Sequence, residues 1–518
     1  MNGDRAGTLW AEDLKILETA QSLQRYLQYQ CISEQFQLPF SLNFRLHPVR
    51  DPGGFFERSA MAQLKMLRAS DSRTCLLWSC LLLGLCGSNR TLFAETPSVS
   101  QNELPTYLAD YVARPEPDYS WKLLEASEQG SGKIYQLELT SQKWQGIVWT
   151  HPLQVFEPSQ LTETQHMILF VTGGTSGKSV KPFETQIGRT LAELTGARVA
   201  MIHHVPNQPL LENRREDDLI SETWLRYLKT GDSSWPLLFP MTKSAVKAMD
   251  ALQEFSRRQF KEEVKGFVVT GGSKRGWTSW LTAAADQRVI ATAPMVIDVL
   301  NFAKQMPHQK ATWGFYSEQI RDYTSKGLVH EDGIPKAGRE GELWKMMDPY
   351  SYRSQVSIPK LMIVGANDRY WATDAMNLYW DDLPGEKYAC RIANAGHNLH
   401  DGNLSQGMVM QTLAVFFKNV VAGKSMPQVT WTPQQSDDGI TLSIQCDQKP
   451  TYVRLWSATS NSKDFRDSKW EYKLLWATDG KFVGHKQQRP DEHVAVFGEM
   501  MFGNDVVPYS LSTLVYLQ

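Results

Sequence analysis

Strong charge of either sign is missing from this chain. Lysine and arginine total 54 against 56 aspartates and glutamates, a formal net charge of −2, so there is no basic footprint for nucleic acid. Cysteine is scarce: six occur in 518 residues, and Cys31, Cys75, Cys80 and Cys86 all lie near the N-terminus. A disulfide scaffold is thereby excluded, although Cys390 and Cys446 have the means to form one bridge after export. No group of His, Cys and carboxylates has metal-ligand spacing, so no metal and no other cofactor is expected. Internal repeats and low-complexity tracts are absent, as is any apolar run of the roughly 18–20 residues that a membrane-spanning helix needs. What the chain does have is length enough for a large core and 17 tryptophans, many for its size. Most of these should pack a core, and some are available to line a cleft.

One apolar run near the N-terminus carries a different message. Met66-Leu-Arg-Ala-Ser-Asp-Ser-Arg73 leads into Cys75-Leu-Leu-Trp-Ser-Cys-Leu-Leu-Leu-Gly-Leu-Cys86. A basic leader followed by about twelve mostly apolar residues has the form of a secretory signal peptide. Ser88 and Ala94 offer small residues for cleavage. The expected organisation is therefore a non-native or disordered extension at 1–65, a signal peptide at 66–94, and a secreted or periplasmic protein with no stable membrane insertion after cleavage. N-terminal sequencing of the exported protein should read from near Asn89 or Glu95. A mature chain retaining residues 1–65 would overturn this.

The most informative stretch is Gly266-Phe-Val-Val-Thr-Gly-Gly-Ser-Lys-Arg-Gly-Trp277. A β-branched strand pattern stops at two glycines, a serine follows, another glycine comes three residues later, and a helix pattern begins. That is the order of a nucleophile elbow, where strand, sharp turn and helix lift one hydroxyl out of a sheet. Glycines on either side relieve the crowding at Ser273. The helix starting at Lys274 would aim its free N–H groups at a developing oxyanion. The spacing is Gly-x-Ser-x-x-Gly rather than the commoner Gly-x-Ser-x-Gly, and a serine capping a helix after a glycine turn has the same local pattern.

Two downstream segments complete a catalytic order of serine, acid, histidine. Ile358-Pro-Lys-Leu-Met-Ile-Val-Gly365 reads as a buried strand and runs into Ala366-Asn367-Asp368. Tyr388–Ile392 reads as the next strand and leads to Ala395-Gly396-His397. Loops at the carboxyl edge of one parallel sheet thus carry Ser273, Asp368 and His397, at the edge where open α/β sheets build their sites. His397 is expected as general base and Asp368 as its orienting acid. Asp298, after the apolar run Ala293–Ile297, is a rival acid, and His400 a rival base. The amide of Lys274 is one expected oxyanion donor. The second is expected from the loop Thr172-Gly173-Gly174-Thr175, through Gly174 or Thr175, which resembles the glycine-rich oxyanion loop of lipases. The same loop, read as Gly173-Gly-Thr-Ser-Gly177-Lys178-Ser179, imitates a P-loop but is one residue short of the required spacing.

Three stretches resemble the PhoPQ-activated pathogenicity-related protein family: His204-Val-Pro-Asn-Gln-Pro-Leu210, Trp235–Asp250, and Gly271-Gly-Ser-Lys-Arg-Gly-Trp277. The resemblance runs from about Leu108 to the C-terminus. It implies an α/β-hydrolase fold with a serine-hydrolase triad at Ser273, Asp368 and His397, and peptidase-like activity among the options. It leaves the substrate undefined. The expected function is an exported serine hydrolase cleaving an amide or ester bond in a peptide or ester substrate. The alternative is a secreted signalling or binding protein that keeps the fold with little catalysis. The oligomeric state is left open.

The remaining pattern outlines the architecture. Gly132–Thr140 and Trp144–Thr150 alternate as an antiparallel pair. A hydrolase domain is expected over 95–423, with a mostly parallel sheet flanked by helices and cap insertions near 208–240 and 301–357. Short alternating strands over 424–518 suggest a small β-sandwich. The run Arg214-Arg215-Glu216-Asp217-Asp218 reads as a solvated charged face, with the option that an acid in a cap holds a substrate amine. Lys274 and Arg275 stand out because cations in a helix's first turn oppose its dipole, so they are expected to pair with acids from the insertions or to bind a substrate carboxylate. His203 and His204 are adjacent on a strand pattern, so they should face apart and not share a metal.

Overall fold

A computed structural model describes residues 105–129, 132–401 and 405–518. The expected signal segment at 66–94 and the extension at 1–65 lie outside these residues.

The sheet begins with three antiparallel strands, β1 (Ser120–Gln129), β2 (Gly132–Trp144) and β3 (Ile147–Glu157). Trp144 closes β2 rather than opening its partner. The turn falls on Gln145 and Gly146, both at positive φ (49° and 80°), which suits the tight hairpin turns that match strand twist. Next come six parallel strands in the spatial order β5 (Ala197–Ile202), β4 (Glu163–Val171), β6 (Gly266–Gly272), β7 (Val289–Met295), β8 (Lys360–Gly365) and β9 (Lys387–Ile392). Every residue of β5 and β8 is buried, as parallel strands covered on both faces require.

Helices cover both faces. They are α1 (Tyr107–Ala113), α2 (Pro182–Thr195), α3 (Glu216–Thr230), α4 (Leu238–Gln259), α5 (Lys274–Ala285), α6 (Phe302–Trp313), α7 (Gly338–Met347) and α8 (Ser405–Val421). One core cluster gathers residues of α3, α4, α5, α6 and α7, and a second forms between α2, α8 and the sheet. The inserted segments hold α3 and, farther on, α6 and α7. This is an α/β-hydrolase-type fold with cap insertions.

The C-terminal strands divide between two layers. β10 (Val429–Ser436), β11 (Gly439–Cys446), β14 (Ala477–Thr478) and β15 (Lys481–Gln487) form a four-stranded antiparallel sheet. β12 (Tyr452–Ser460), β13 (Glu471–Leu475), β16 (His493–Gly503) and β17 (Pro508–Ser512) instead extend the main sheet, through the pairing of Ser512 with Ala389 of β9. The layers meet where Ile444 packs on Gly498: a Cβ at 498 would lie 2.2 Å from the Ile444 methyl. The small sandwich expected from alternation is therefore built with one layer continuous with the hydrolase sheet. Alternation reports which faces are buried, not which strand is the neighbour. Cys390 is buried and Cys446 half-buried, both as free thiols, so the bridge considered from sequence is not made.

Candidate active site

β6 delivers Ser273 to the carboxyl edge of the sheet, and α5 starts at the next residue. Ser273 takes φ 57° and ψ −124°, a sparsely populated conformation that stores strain at functional turns. The turn is this sharp because α5 sits almost on the strand: a Cβ at Gly276 would meet the Gly271 carbonyl oxygen at 2.8 Å and the Met295 carbonyl oxygen at 2.9 Å. Only glycine allows that approach. The Ser273 side chain makes no capping hydrogen bond to α5, so the helix-cap explanation of this serine fails.

The hydroxyl points elsewhere. Ser273 Oγ lies 2.8 Å from His397 Nε2, and His397 Nδ1 lies 2.8 Å from Asp368 Oδ2. The second carboxylate oxygen of Asp368 accepts the Tyr370 amide at 2.9 Å. The acid is 8 % exposed and the imidazole 30 %, so the base reaches solvent while its orienting partner does not. The structure thus brings Ser273, Asp368 and His397 into one line. The rival acid Asp298 is buried elsewhere, accepting the Tyr379 hydroxyl at 2.5 Å. Burial pushes its carboxyl up to about 6 against the opposing charge of Arg391. His400 is exposed on the loop beyond His397.

Contacts from far along the chain hold the acid and base loops together. The Asn367 amide donates to the Ala395 carbonyl at 2.9 Å, joining the two loops directly. Asn367 Nδ2 donates to the carbonyl of Ser468 at 2.7 Å, and Asn394 exchanges two hydrogen bonds with the Trp470 backbone. The segment between β12 and β13 therefore braces both loops. Nothing in the local sequence around Asn367 or Asn394 signalled this, because their partners lie in the segment joining β12 to β13, far along the chain.

The charged residues find partners in the first insertion. Lys274 Nζ lies 2.6 Å from Asp217 Oδ2, and the Tyr323 and Tyr370 hydroxyls also donate to Asp217. Burial alone would lower the Lys274 ammonium, but Asp217 and Tyr370 outweigh it and hold its pKa above the ordinary lysine value. Arg275 makes two bonds to Glu216, at 2.7 and 2.8 Å, and a third to the Val205 carbonyl at 2.6 Å. Asp218 binds Arg214 and Lys326. The stretch expected as a solvated charged face is in fact the anchor of the insertion on α5, the helix that follows Ser273. Its acids are consumed internally rather than offered to a substrate amine.

Burial would raise the Glu216 carboxyl, but the Arg275 charge and its hydrogen bonds hold it down to about 2. A carboxylate depressed in the folded state contributes stability above its unfolded pKa and loses it as pH falls through the folded value. Glu216→Gln should therefore lower the melting temperature by a constant amount above about pH 5, a gap that closes as pH falls from about 4.5 toward 2. The Glu216 side chain keeps 40 % of its surface exposed, so the gap should be modest and salt-sensitive. A pH-independent difference in parallel melts would show that the pair does not form.

Arg275 also explains the glycine loop after β4. Its guanidinium lies where a Cβ of Gly173 would be, at 2.5 Å, and the His204 ring lies equally close to Gly174. The space a P-loop would give to phosphate is filled by this chain's own side chains. The loop starts beside the elbow, because Val171 pairs with Gly271. Thr175 Oγ1 accepts from Arg215. His203 and His204 fall beyond the end of β5, and His203 is bonded to Thr172 and Gln154. Among the described residues no group of three or more His, Cys, Asp or Glu is placed to hold a metal ion, and no helix is long and apolar enough to cross a membrane.

Tyr370 is the site residue that sequence reasoning missed. Its amide binds Asp368, its ring packs on His397 with centroids 4.3 Å apart, and its hydroxyl accepts from Lys274 at 3.1 Å. Beside Ser273 and His397 a small, mostly apolar cavity of about 30 Å³ lies between the sheet edge and the insertions.

Comparison with known proteins places these features in context. Residues 108–466 match the family described as PhoPQ-activated pathogenicity-related protein, a match that stops short of the C-terminus. The autocrine proliferation repressor protein A of Dictyostelium discoideum is 32 % identical over 381 residues, covering 70 % of this chain and 76 % of that protein. Among solved structures, acetyl xylan esterase 1 from Thermoanaerobacterium sp. JW/SL YS485 is similar at 17 % identity and a TM-score of 0.42, over 61 % of this chain and 95 % of that one. The acylaminoacyl peptidase of Pyrococcus horikoshii is similar at 13 % identity and a TM-score of 0.36, over 59 % and 51 %.

Proposed function

Since the chain belongs to the PhoPQ-activated pathogenicity-related protein family, we propose that it is an exported serine hydrolase that cleaves an ester or amide bond through an acyl-enzyme at Ser273. The observation that carries this reading is the unbroken line from Ser273 Oγ through His397 to Asp368, at 2.8 Å on both sides of the imidazole. That line ends on a strained elbow beside a small apolar cavity.

His397 Nε2 takes the hydroxyl proton as Ser273 Oγ attacks the substrate carbonyl carbon, and the carbonyl π electrons move onto oxygen. Asp368 holds the proton on Nδ1 and stabilises the imidazolium, with the Tyr370 ring against its face. The oxyanion is bound by the Lys274 amide, in the first turn of α5, and by an amide of the Gly174–Thr175 segment. Collapse breaks the bond to the leaving alcohol or amine, which receives the proton from His397. Water, deprotonated by the same imidazole, then releases the acid and restores Ser273. The proposal of export rests on the sequence of the segment Met66–Ala94, with its basic leader and apolar run.

The deciding experiment is covalent labelling with a fluorophosphonate followed by peptide mass analysis. Label on Ser273 is the expected result. Folded protein that never labels would favour the alternative of a secreted signalling or binding protein on a hydrolase fold.

A further inference from the structure

The main chain of the loop after β4 is held by the segment that follows β5. The Gly173 carbonyl accepts the His204 amide at 2.8 Å, and the Ser176 amide donates to the Gln208 carbonyl at 2.9 Å. Between these two, the Gly174 carbonyl accepts Nε2 of Gln208 at 3.1 Å. The Thr175 amide, by contrast, donates to no acceptor among the described residues. A trans peptide unit is planar, so its C=O and N–H point in opposite directions. Holding the Gly174 carbonyl therefore fixes the direction of the free Thr175 N–H.

The side chain that does the holding is itself fully committed. Gln208 is buried. Its Nε2 donates to Gly174 and, at 2.6 Å, to Glu216 Oε1, while its Oε1 accepts the Glu216 amide at 2.9 Å. Because that last donor is a backbone N–H, the side-chain amide can sit only one way round. Glu216 in turn binds Arg275 of α5, whose Nε donates to the Val205 carbonyl at 2.6 Å. The loop after β4 and the helix after Ser273 are thus joined through Gln208 and Glu216.

Resting on the reading of Ser273 as nucleophile, we propose that Gln208 is a positioning residue for the oxyanion. It aims the Thr175 amide at the developing charge and, through Glu216 and Arg275, sets that donor's place relative to the Lys274 amide. Such donors stabilise a transition state because they are oriented beforehand and need no reorganisation as charge develops. Gln208 touches no reacting atom and acts only through the peptide it holds.

The first test needs no substitution. Reaction of the parent protein with a fluorophosphonate places a phosphoryl oxygen where the oxyanion would form. Hydrogen exchange resolved to single amides should slow by about tenfold or more at Thr175 in the adduct, and stay unchanged at Ser176, which is already bonded. Slowing at Gly174 instead, or at neither residue, would overturn the proposal. Gln208→Leu supplies the second test by removing the side-chain bonds at similar volume. Rates with p-nitrophenyl acetate are normalised to the Ser273 that a fluorophosphonate titrates, which removes any loss through unfolded protein. Both kcat and kcat/KM should then fall by roughly 10- to 100-fold with KM within about threefold, as for an interaction made only in the transition state. Parental normalised kcat, or a loss confined to KM, would overturn the proposal and leave the hydrolase standing. Should the variant fail to fold, the exchange measurement on the adduct decides alone. Parent protein that neither labels nor turns over the ester would overturn the hydrolase reading, and the role of Gln208 with it.

Discussion

Ser273→Ala is expected to abolish fluorophosphonate labelling and leave stability within about 1 kcal/mol of the parent, the range for substitutions outside buried networks. The hydroxyl makes no capping bond; its partner is His397, at 2.8 Å. That imidazole is 30 % exposed, so water can replace the lost oxygen. Alanine suffers no more than serine from a positive φ, so the strain at the turn is unchanged. Turnover of the best ester should fall by about 10⁶, the loss seen when an activated serine is removed, down to what binding and the oxyanion donors sustain. A melting curve and a labelling gel on the same preparation check both halves. Had Ser273 been a helix cap, the variant would label as before and lose roughly 0.5–2 kcal/mol.

Asp368→Asn carries the second large effect. The asparagine carbonyl can still accept the Tyr370 amide that Asp368 Oδ1 holds at 2.9 Å, so the loop should keep its shape and the protein its melting temperature. The side-chain NH₂ now faces His397 Nδ1 and stabilises the tautomer with the proton on Nε2, the wrong nitrogen for accepting from Ser273. Turnover should drop by several orders of magnitude, about 10⁴-fold in the best-characterised triad. Asp298→Asn should behave in the opposite way. Asp298 is buried with Tyr379 and near the charge of Arg391, so its loss should cost stability more than rate. Activity lost with Asp298→Asn and kept with Asp368→Asn would mean that the acid comes from the strand before.

The candidate site was legible to the extent that its parts are local. Strand, glycines, serine and helix follow one another over Gly266–Ala285, and a turn so tight leaves a composition that can be read directly. The strand ends before Asp368 and His397 were equally visible, since a fully buried parallel strand is a short apolar run closed by a turn. Lys274 and Arg275 were legible only as an anomaly: two cations against a helix dipole demand a reason, but the reason was not nearby. The acids that answer them, Asp217 and Glu216, sat in a run that has the composition of a solvated face. Composition cannot distinguish a charge in water from a charge paired beneath an insertion.

The sequence by itself determined the α/β class, the order of serine, acid and histidine, and the elbow, because each depends on residues close in the chain and on steric rules that act there. Only the tertiary structure decided that Asp368 rather than Asp298 faces the imidazole, and that Asn367 and Asn394 are braced from the segment between β12 and β13. It also decided that tryptophans of several helices meet beside Ser273. Those outcomes depend on which segments become neighbours across the sheet edge, where hydrogen-bond direction and charge pairing act over a few ångströms between groups far apart in sequence.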